Sequence, residues 1–175
     1  NPLLPAILPV DRVGQIEDYT ILLRQYTGKR PRGMVLPNYA WDTSLITSLK
    51  TCGMEYIVVD SNMIPSNRTR FLPYIVQGYG KNIFVLGENQ DLIPNPSTSA
   101  EEYLAFLADN VKNTCPAVER PLMLCSITPE HFCKLINSGW FASFLASVEE
   151  QISGYSFESN TPVKYLKTAQ HYQRA

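Results

Sequence analysis

Residues 32–60 read RGMVLPNYAWDTSLITSLKTCGMEYIVVD, Arg32 through Asp60, and their periodicity decides the fold. Gly33 to Leu36 is a short apolar run that predicts a buried strand. Pro37, Asn38, Tyr39, Ala40 and Trp41 follow as a loop. Asp42 stands where a helix N-cap belongs, with Leu45, Ile46 and Leu49 on one face and Gly53 as terminator. Glu55 to Asp60 has the β-branched centre of a strand covered on both faces. Strand, short loop, capped helix, strand is the repeating unit of a parallel α/β sheet.

The flanks continue the alternation. Upstream, Val13, Ile16, Tyr19, Leu22, Leu23 and Tyr26 keep a three-and-four spacing behind Asp11, which the pattern makes an N-cap, and Gly28 sits at the left-handed C-cap position. Downstream, Ser61 to Arg70 is polar and loop-like. Phe71 to Val76 and Asn82 to Leu86 then read as strands joined through Gly78-Tyr79-Gly80, a hairpin. Residues 93–97 form a linker, and Ser99 with Glu102 makes a capping box ahead of Tyr103, Leu104, Leu107 and Val111. Leu122 to Ile127 predicts another strand. Gly139 to Glu150 predicts a helix with Trp140, Phe141, Phe144, Leu145 and Val148 inward, and Thr161-Pro162 opens a last helix.

Together these elements predict one α/β domain, an incomplete (β/α) barrel with mostly parallel strands and outer helices. It divides into helix-strand-helix-strand over 1–60, an irregular hairpin insertion over 61–98, and helix-strand-helix-helix over 99–175. A full barrel needs about 250 residues. Half a barrel ends in open strand edges, so the pattern predicts either the remainder of a longer chain or a homodimer that covers them. Asn1-Pro2 without an initiator Met or a signal-peptide pattern points to processing or excision.

Composition narrows the chemistry. The 175 residues carry 15 basic and 16 acidic side chains, a net charge of -1, without the basic clusters that nucleic acid or a membrane surface selects. No apolar run approaches the roughly 18 residues of a membrane span. Two histidines, His131 and His171, are too few for a three-histidine metal site. Cys52, Cys115, Cys125 and Cys133 form no CxxC pair, so they read as small buried hydrophobes of a reducing, cytoplasmic compartment, with no metal or cofactor implied. Asn67-Arg68-Thr69 matches a glycosylation sequon by chance, and Lys29-Arg30-Pro31-Arg32 reads as a solvated loop.

At the carboxyl end of a parallel strand, where α/β folds place their chemistry, the aromatic pair Tyr39 and Trp41 follows polar Asn38 in the manner of a sugar platform. They also suit a plain cover for the helix start. Here the chain resembles glycoside hydrolase family 57, α-amylases and 4-α-glucanotransferases built on an incomplete barrel of the glycoside hydrolase/deacetylase type. Val35-Leu36-Pro37-Asn38-Tyr39-Ala40-Trp41-Asp42 and Gly53-Met54-Glu55-Tyr56-Ile57-Val58-Val59-Asp60 follow the family's third motif. Ile127-Thr128-Pro129-Glu130-His131-Phe132-Cys133, then Gly139-Trp140 and Tyr165-Leu166, follow its fourth.

The resemblance implies two catalytic carboxylates, and both positions are substituted. The nucleophile maps onto Asn38, and the acid onto Ile127 or, shifted by one, Thr128. A retaining glycosidase needs two carboxyl groups about 5–5.5 Å apart, and a carboxamide cannot form the glycosyl-enzyme ester. The reading is therefore a glucanotransferase/amylase-like domain without turnover, binding α-glucan or oligosaccharide through Tyr39, Trp41, Asp60 and Trp140. The alternatives are an active enzyme using Glu130 or carboxylates from another segment, and a non-catalytic interaction domain. A metal-dependent deacetylase of similar shape would need an Asp-His-His set that two histidines cannot supply.

Overall fold

The computed structural model describes residues 3–64, 70–115, 120–149, 154, 156–169 and the backbone of 173–174. They fall in two compact units, Asn1–Glu88 with Gln170–Ala175, and Asn89–Ala169. His171 and the sequon at 67–69 lie outside the described residues.

The first unit is an open sheet backed by two helices. Its strands are β1 (Gly33–Val35), β2 (Tyr56–Asp60), β3 (Tyr74–Gly78), β4 (Lys81–Glu88) and β5 (Gln173–Arg174), in the order β1-β2-β4-β3-β5. β1, β2 and β4 run parallel, and β3 is antiparallel to β4. The predicted hairpin is present: Tyr79 (φ 53) and Gly80 (φ 72) form its two-residue connection, both left-handed as a type I′ turn requires. It is no insertion, however. β4 is the middle strand, registered against β2 over Phe84–Glu88, and its alternate residues Ile83 and Val85 complete the core that β2 begins.

That core lies between the sheet and helices α1 (Pro9–Thr27) and α2 (Leu45–Thr51). Leu45, Ile46, Leu49 and Ile57 are 0% exposed, each worth roughly 1.5–3 kcal/mol of apolar burial. Cys52 packs among them, and burial pushes its thiol up to about 11, consistent with a small hydrophobe. α1 begins three residues before the expected cap Asp11 lets it, because Pro9 takes the first helical position, where its missing N–H costs nothing. Gly28 (φ 70) closes it as expected. Arg12 is buried and fully engaged, donating to Ile7 O, Pro5 O and Ser44 Oγ at 2.9 Å each. It thereby ties the amino-terminal segment to the start of α2.

Gly33 illustrates how tightly β1 meets β2. A Cβ there would run into the ring of Tyr56, its register partner, so the aromatic covers the glycine across the strands.

The second unit is helical: α3 (Ala100–Thr114), α4 (Pro129–Asn137), α5 (Trp140–Val148) and α6 (Pro162–Thr168). The Ser99–Glu102 capping box opens α3, and the Thr161 side chain caps α6 above Pro162. The strand expected over Leu122 to Ile127 does not form. Residues 121–125 and 127 are only half-buried, whereas a central parallel strand is covered on both faces, and an apolar run alone does not choose between strand and packed coil. The described helix α5 ends at Val148.

Candidate functional site

The carboxyl ends of β1, β2 and β4 lie side by side in the first unit, and each passes into a short polar turn. After β1, Pro37–Tyr39 make a single 3-10 turn whose inner residues are left-handed: Asn38 has φ 52 and ψ 24, and Tyr39 has φ 52. Asparagine visits this region readily, but tyrosine does not. Two such residues in succession hold strain on the order of 1 kcal/mol or more each, a cost that clusters at functional sites. The turn is closed by Tyr39 N to Leu36 O at 2.9 Å and Ala40 N to Pro37 O at 3.1 Å.

The brace that holds this turn comes from β4. The Tyr39 phenol donates to Glu88 Oε2 at 2.7 Å, and Glu88 is 1% exposed. Glu88 is also the register partner of Asp60 on β2. Registered residues on neighbouring parallel strands project from the same face, with backbones about 4.8 Å apart, so two carboxyl-bearing residues share one face at the strand ends. Asp60 Oδ1 accepts from Asn62 N at 2.8 Å and caps the turn Ser61–Met63. Gly87 lets that turn settle on β4, since a Cβ there would meet Ile64 Cδ1 at 2.7 Å and the Arg70 carbonyl at 3.3 Å.

Of the residues singled out from the sequence, Asn38, Tyr39 and Asp60 therefore gather at these strand ends. Asn38 is exposed and Tyr39 half-buried. Trp41 is partly buried and packs against the core cluster, the covering role its pattern also allowed. Glu88 was not singled out, because the apolar strand pattern stops at Leu86. The signal was there nonetheless: an acid directly after an apolar strand and a glycine, the same strand-end placement that marked Asp60.

The remaining candidates belong to the second unit. Trp140 is 7% exposed; its indole N–H donates to Thr98 O at 2.7 Å, its ring stacks on Phe144 at 5.3 Å, and Tyr103 meets it edge-on at 5.4 Å. Its polar atom and part of its ring are engaged in packing within this unit. Ile127 is half-buried and Thr128 exposed. Thr128 caps α4, its hydroxyl accepting from His131 N at 3.2 Å. Glu130 is exposed in the first turn of α4, where the helix dipole favours a carboxylate. His131 is half-buried, with Nε2 2.7 Å from Pro94 O. Among the described residues, no three His, Cys, Asp or Glu side chains are grouped to hold a metal ion, and no helix is long and apolar enough to cross a membrane.

An open, mostly parallel sheet with a strained turn braced at its strand ends defines an α/β protein whose site lies at the strand ends, and comparison with known proteins gives its family. The model of glycosyl hydrolase family 57 matches residues 1–175, and the chain belongs to that family. Alpha-amylase 1 of Dictyoglomus thermophilum is 24% identical over 98% of this chain and 27% of its own length. The 4-alpha-glucanotransferase of Thermococcus kodakarensis is 27% identical over 87% of the chain and 25% of its own length. The crystal structure of 4-alpha-glucanotransferase from Thermococcus litoralis superposes with a TM-score of 0.73 at 22% identity, covering 99% of this chain and 28% of that one. The fold is thus that of family 57 enzymes, and the chain spans about a quarter of the length of these relatives.

Proposed function

We propose that this chain is a glucanotransferase/amylase-like domain that binds α-glucan or oligosaccharide at the carboxyl ends of β1, β2 and β4 and does not itself break glycosidic bonds. One observation carries the reading: the turn that by resemblance would present the nucleophile presents Asn38, exposed and left-handed. Its amide donates and accepts hydrogen bonds, which suits sugar hydroxyls, but it offers no anionic oxygen to the anomeric carbon. The position of the acid holds Ile127 or Thr128, neither of which donates a proton near neutral pH. Tyr39 and Asp60 supply the further polar contacts, and Trp41 the apolar wall beside them. The four free cysteines support a reducing, cytoplasmic compartment as part of this reading.

Glu88 favours a second reading, in which the chain turns over glucan with a carboxylate from another segment than the motif. Glu88 is one hydrogen bond from the residue that follows Asn38, and Glu130 lies within the stretch that follows the fourth motif. Calorimetric titration with maltoheptaose, alongside a disproportionation assay on maltooligosaccharides, separates the cases. Heat of binding that Asn38→Ala and Asp60→Ala reduce, with no new oligosaccharides formed, is expected. Turnover abolished by Glu88→Gln or Glu130→Gln establishes the second reading. No heat and no turnover leaves a pure interaction domain and refutes both.

A further inference from the structure

Among the described residues two charged side chains are buried, Arg12 on α1 at 6% exposure and Glu88 at the end of β4 at 1%. Taking a charge out of water is costly unless its hydrogen bonds are met, so the partners of each show what its burial serves. Glu88 accepts from the Tyr39 phenol, inside the turn that presents Asn38. Arg12 reaches the same loop from a different element, at the point where the loop enters α2.

Arg12 donates three bonds of 2.9 Å. Two go to Pro5 O and Ile7 O and hold the amino-terminal segment, while the third runs from Nη1 to Ser44 Oγ, 32 positions on. Ser44 carries that contact back along the loop. Its N–H donates to Asp42 Oδ1 at 2.8 Å, and its hydroxyl bonds the same carboxylate. The hydrogen bonds from Ser44, with the Arg12 charge adding to them, hold the Asp42 carboxyl below its ordinary range. Asp42 lies three positions beyond Tyr39, and Trp41 between them packs on the core.

We propose that Arg12 is a positioning residue of the strand-end site: acting through Ser44 and Asp42, it fixes the exit of loop 37–44 and so keeps the Asn38 amide presented. The left-handed pair Asn38 and Tyr39 persists only where its surroundings over-determine it. β2 fixes the entry through Leu36 N to Val58 O, Glu88 fixes the middle at Tyr39, and Arg12 fixes the exit at Ser44. Releasing the exit lets the pair relax to ordinary backbone and turns the amide away. Tethering the amino-terminal segment needs the bonds to Pro5 and Ile7 but not the one to Ser44. The consequence for sugar binding rests on the glucan reading of the strand ends; the consequence for the turn does not.

The test uses Ser44→Ala, which removes the relay and leaves both bonds to the amino-terminal segment, beside Arg12→Lys, whose single ammonium lacks the planar fork needed to serve three oxygens on two segments. Two quantities are read. Tyr39 N and Ala40 N close the turn on Leu36 O and Pro37 O, and their amide exchange should speed up about three- to tenfold, the fold-change of one net hydrogen bond. Maltoheptaose affinity should fall by a similar factor. Ile83→Val, on β4 in the core of the same unit, lowers stability and should leave both quantities unchanged. Exchange at Tyr39 and Ala40 that Ser44→Ala leaves as it was overturns the proposal. So does affinity within twofold of the parent, or an equal change in Ile83→Val, which would mark a general loss of stability. A parent chain that gives no heat with maltoheptaose refutes the glucan reading, and the exchange rates then decide the role of Arg12 alone.

Discussion

Replacing Tyr39 by Phe removes a single oxygen and keeps the ring. That oxygen lies 2.7 Å from Glu88 Oε2, in a carboxylate with 1% of its surface exposed. Leaving a buried acceptor short of a donor costs about 1–3 kcal/mol. Tyr39 is itself half-exposed and Glu88 has other contacts, so the lower part of that range applies, about 1.5–2 kcal/mol. For a chain of 175 residues this lowers the melting temperature by roughly 3–8 °C. The assay is urea unfolding followed by fluorescence, since Trp41 packs against the core of the same unit. A double-mutant cycle with Glu88→Gln should give a coupling of about 1 kcal/mol. A cost for Tyr39→Phe below about 0.5 kcal/mol, or additivity with Glu88→Gln, would refute the view that this bond holds the strained turn.

Three further outcomes follow from other parts of the structure. Gly33→Ala places a Cβ on the Tyr56 ring and should destabilise the chain by about 1–3 kcal/mol, whereas Tyr56→Leu in the same background should recover part of the loss; an unchanged urea midpoint for Gly33→Ala would contradict the packing. Asn38→Glu alone should leave maltooligosaccharide disproportionation at background, because no proton donor accompanies it; measurable turnover would show that a carboxylate such as Glu88 or Glu130 already serves as the acid. Stability should fall on the alkaline side: burial raises Cys52 to about 11 from 9.0 and Tyr165 to about 12 from 10.0, and raises Tyr56 as well. These groups are neutral when protonated, so the native state holds their protons more tightly than the unfolded chain. Their contribution is complete below pH about 9 and is lost as pH rises through the folded values, which urea midpoints at pH 8, 9.5 and 11 would read directly.

Much of the fold was legible because local signals agreed with tertiary ones. Gly28, the Ser99–Glu102 box and Thr161-Pro162 mark helix ends through backbone chemistry that needs no partner. The EYIVVD strand is long and β-branched enough that only one placement buries it. Elsewhere the deciding partner was distant in sequence. Residues 122–127 have the composition of a strand, yet pairing is a property of two segments and the second was not visible. The hairpin was read correctly as a pair, but its place in the middle of the sheet depends on the register of β4 against β2, which no local pattern encodes. The site followed the same division. Asn38, Tyr39 and Asp60 were readable as strand-end residues, whereas Glu88 became a candidate only once Tyr39 was seen to reach across 49 positions to it. Trp140 shows the limit from the other side, since a tryptophan next to a glycine reads alike on a sugar platform and in a helix interface, and only the structure shows Thr98 and Phe144 around it.

The turn at 37–39 links stability to function in a way that separates two uses of its strain. A left-handed pair with a buried carboxylate braced beneath it is an expensive arrangement for a surface loop, and a loop whose only task was to connect β1 to α2 could relax to a cheaper one. Asparagine is the side chain that lowers this expense most short of glycine. If the turn serves solely to position residue 38, Asn38→Gly should keep or slightly raise stability while abolishing glucan binding, because the backbone conformation survives and the amide is lost. If the turn instead exists to aim Tyr39 at Glu88, the same variant should leave binding intact, and Tyr39→Phe should remove it. Maltoheptaose titrations of the two variants thus read out which of the neighbouring residues the strain is maintained for, independently of whether any bond in the sugar is ever broken.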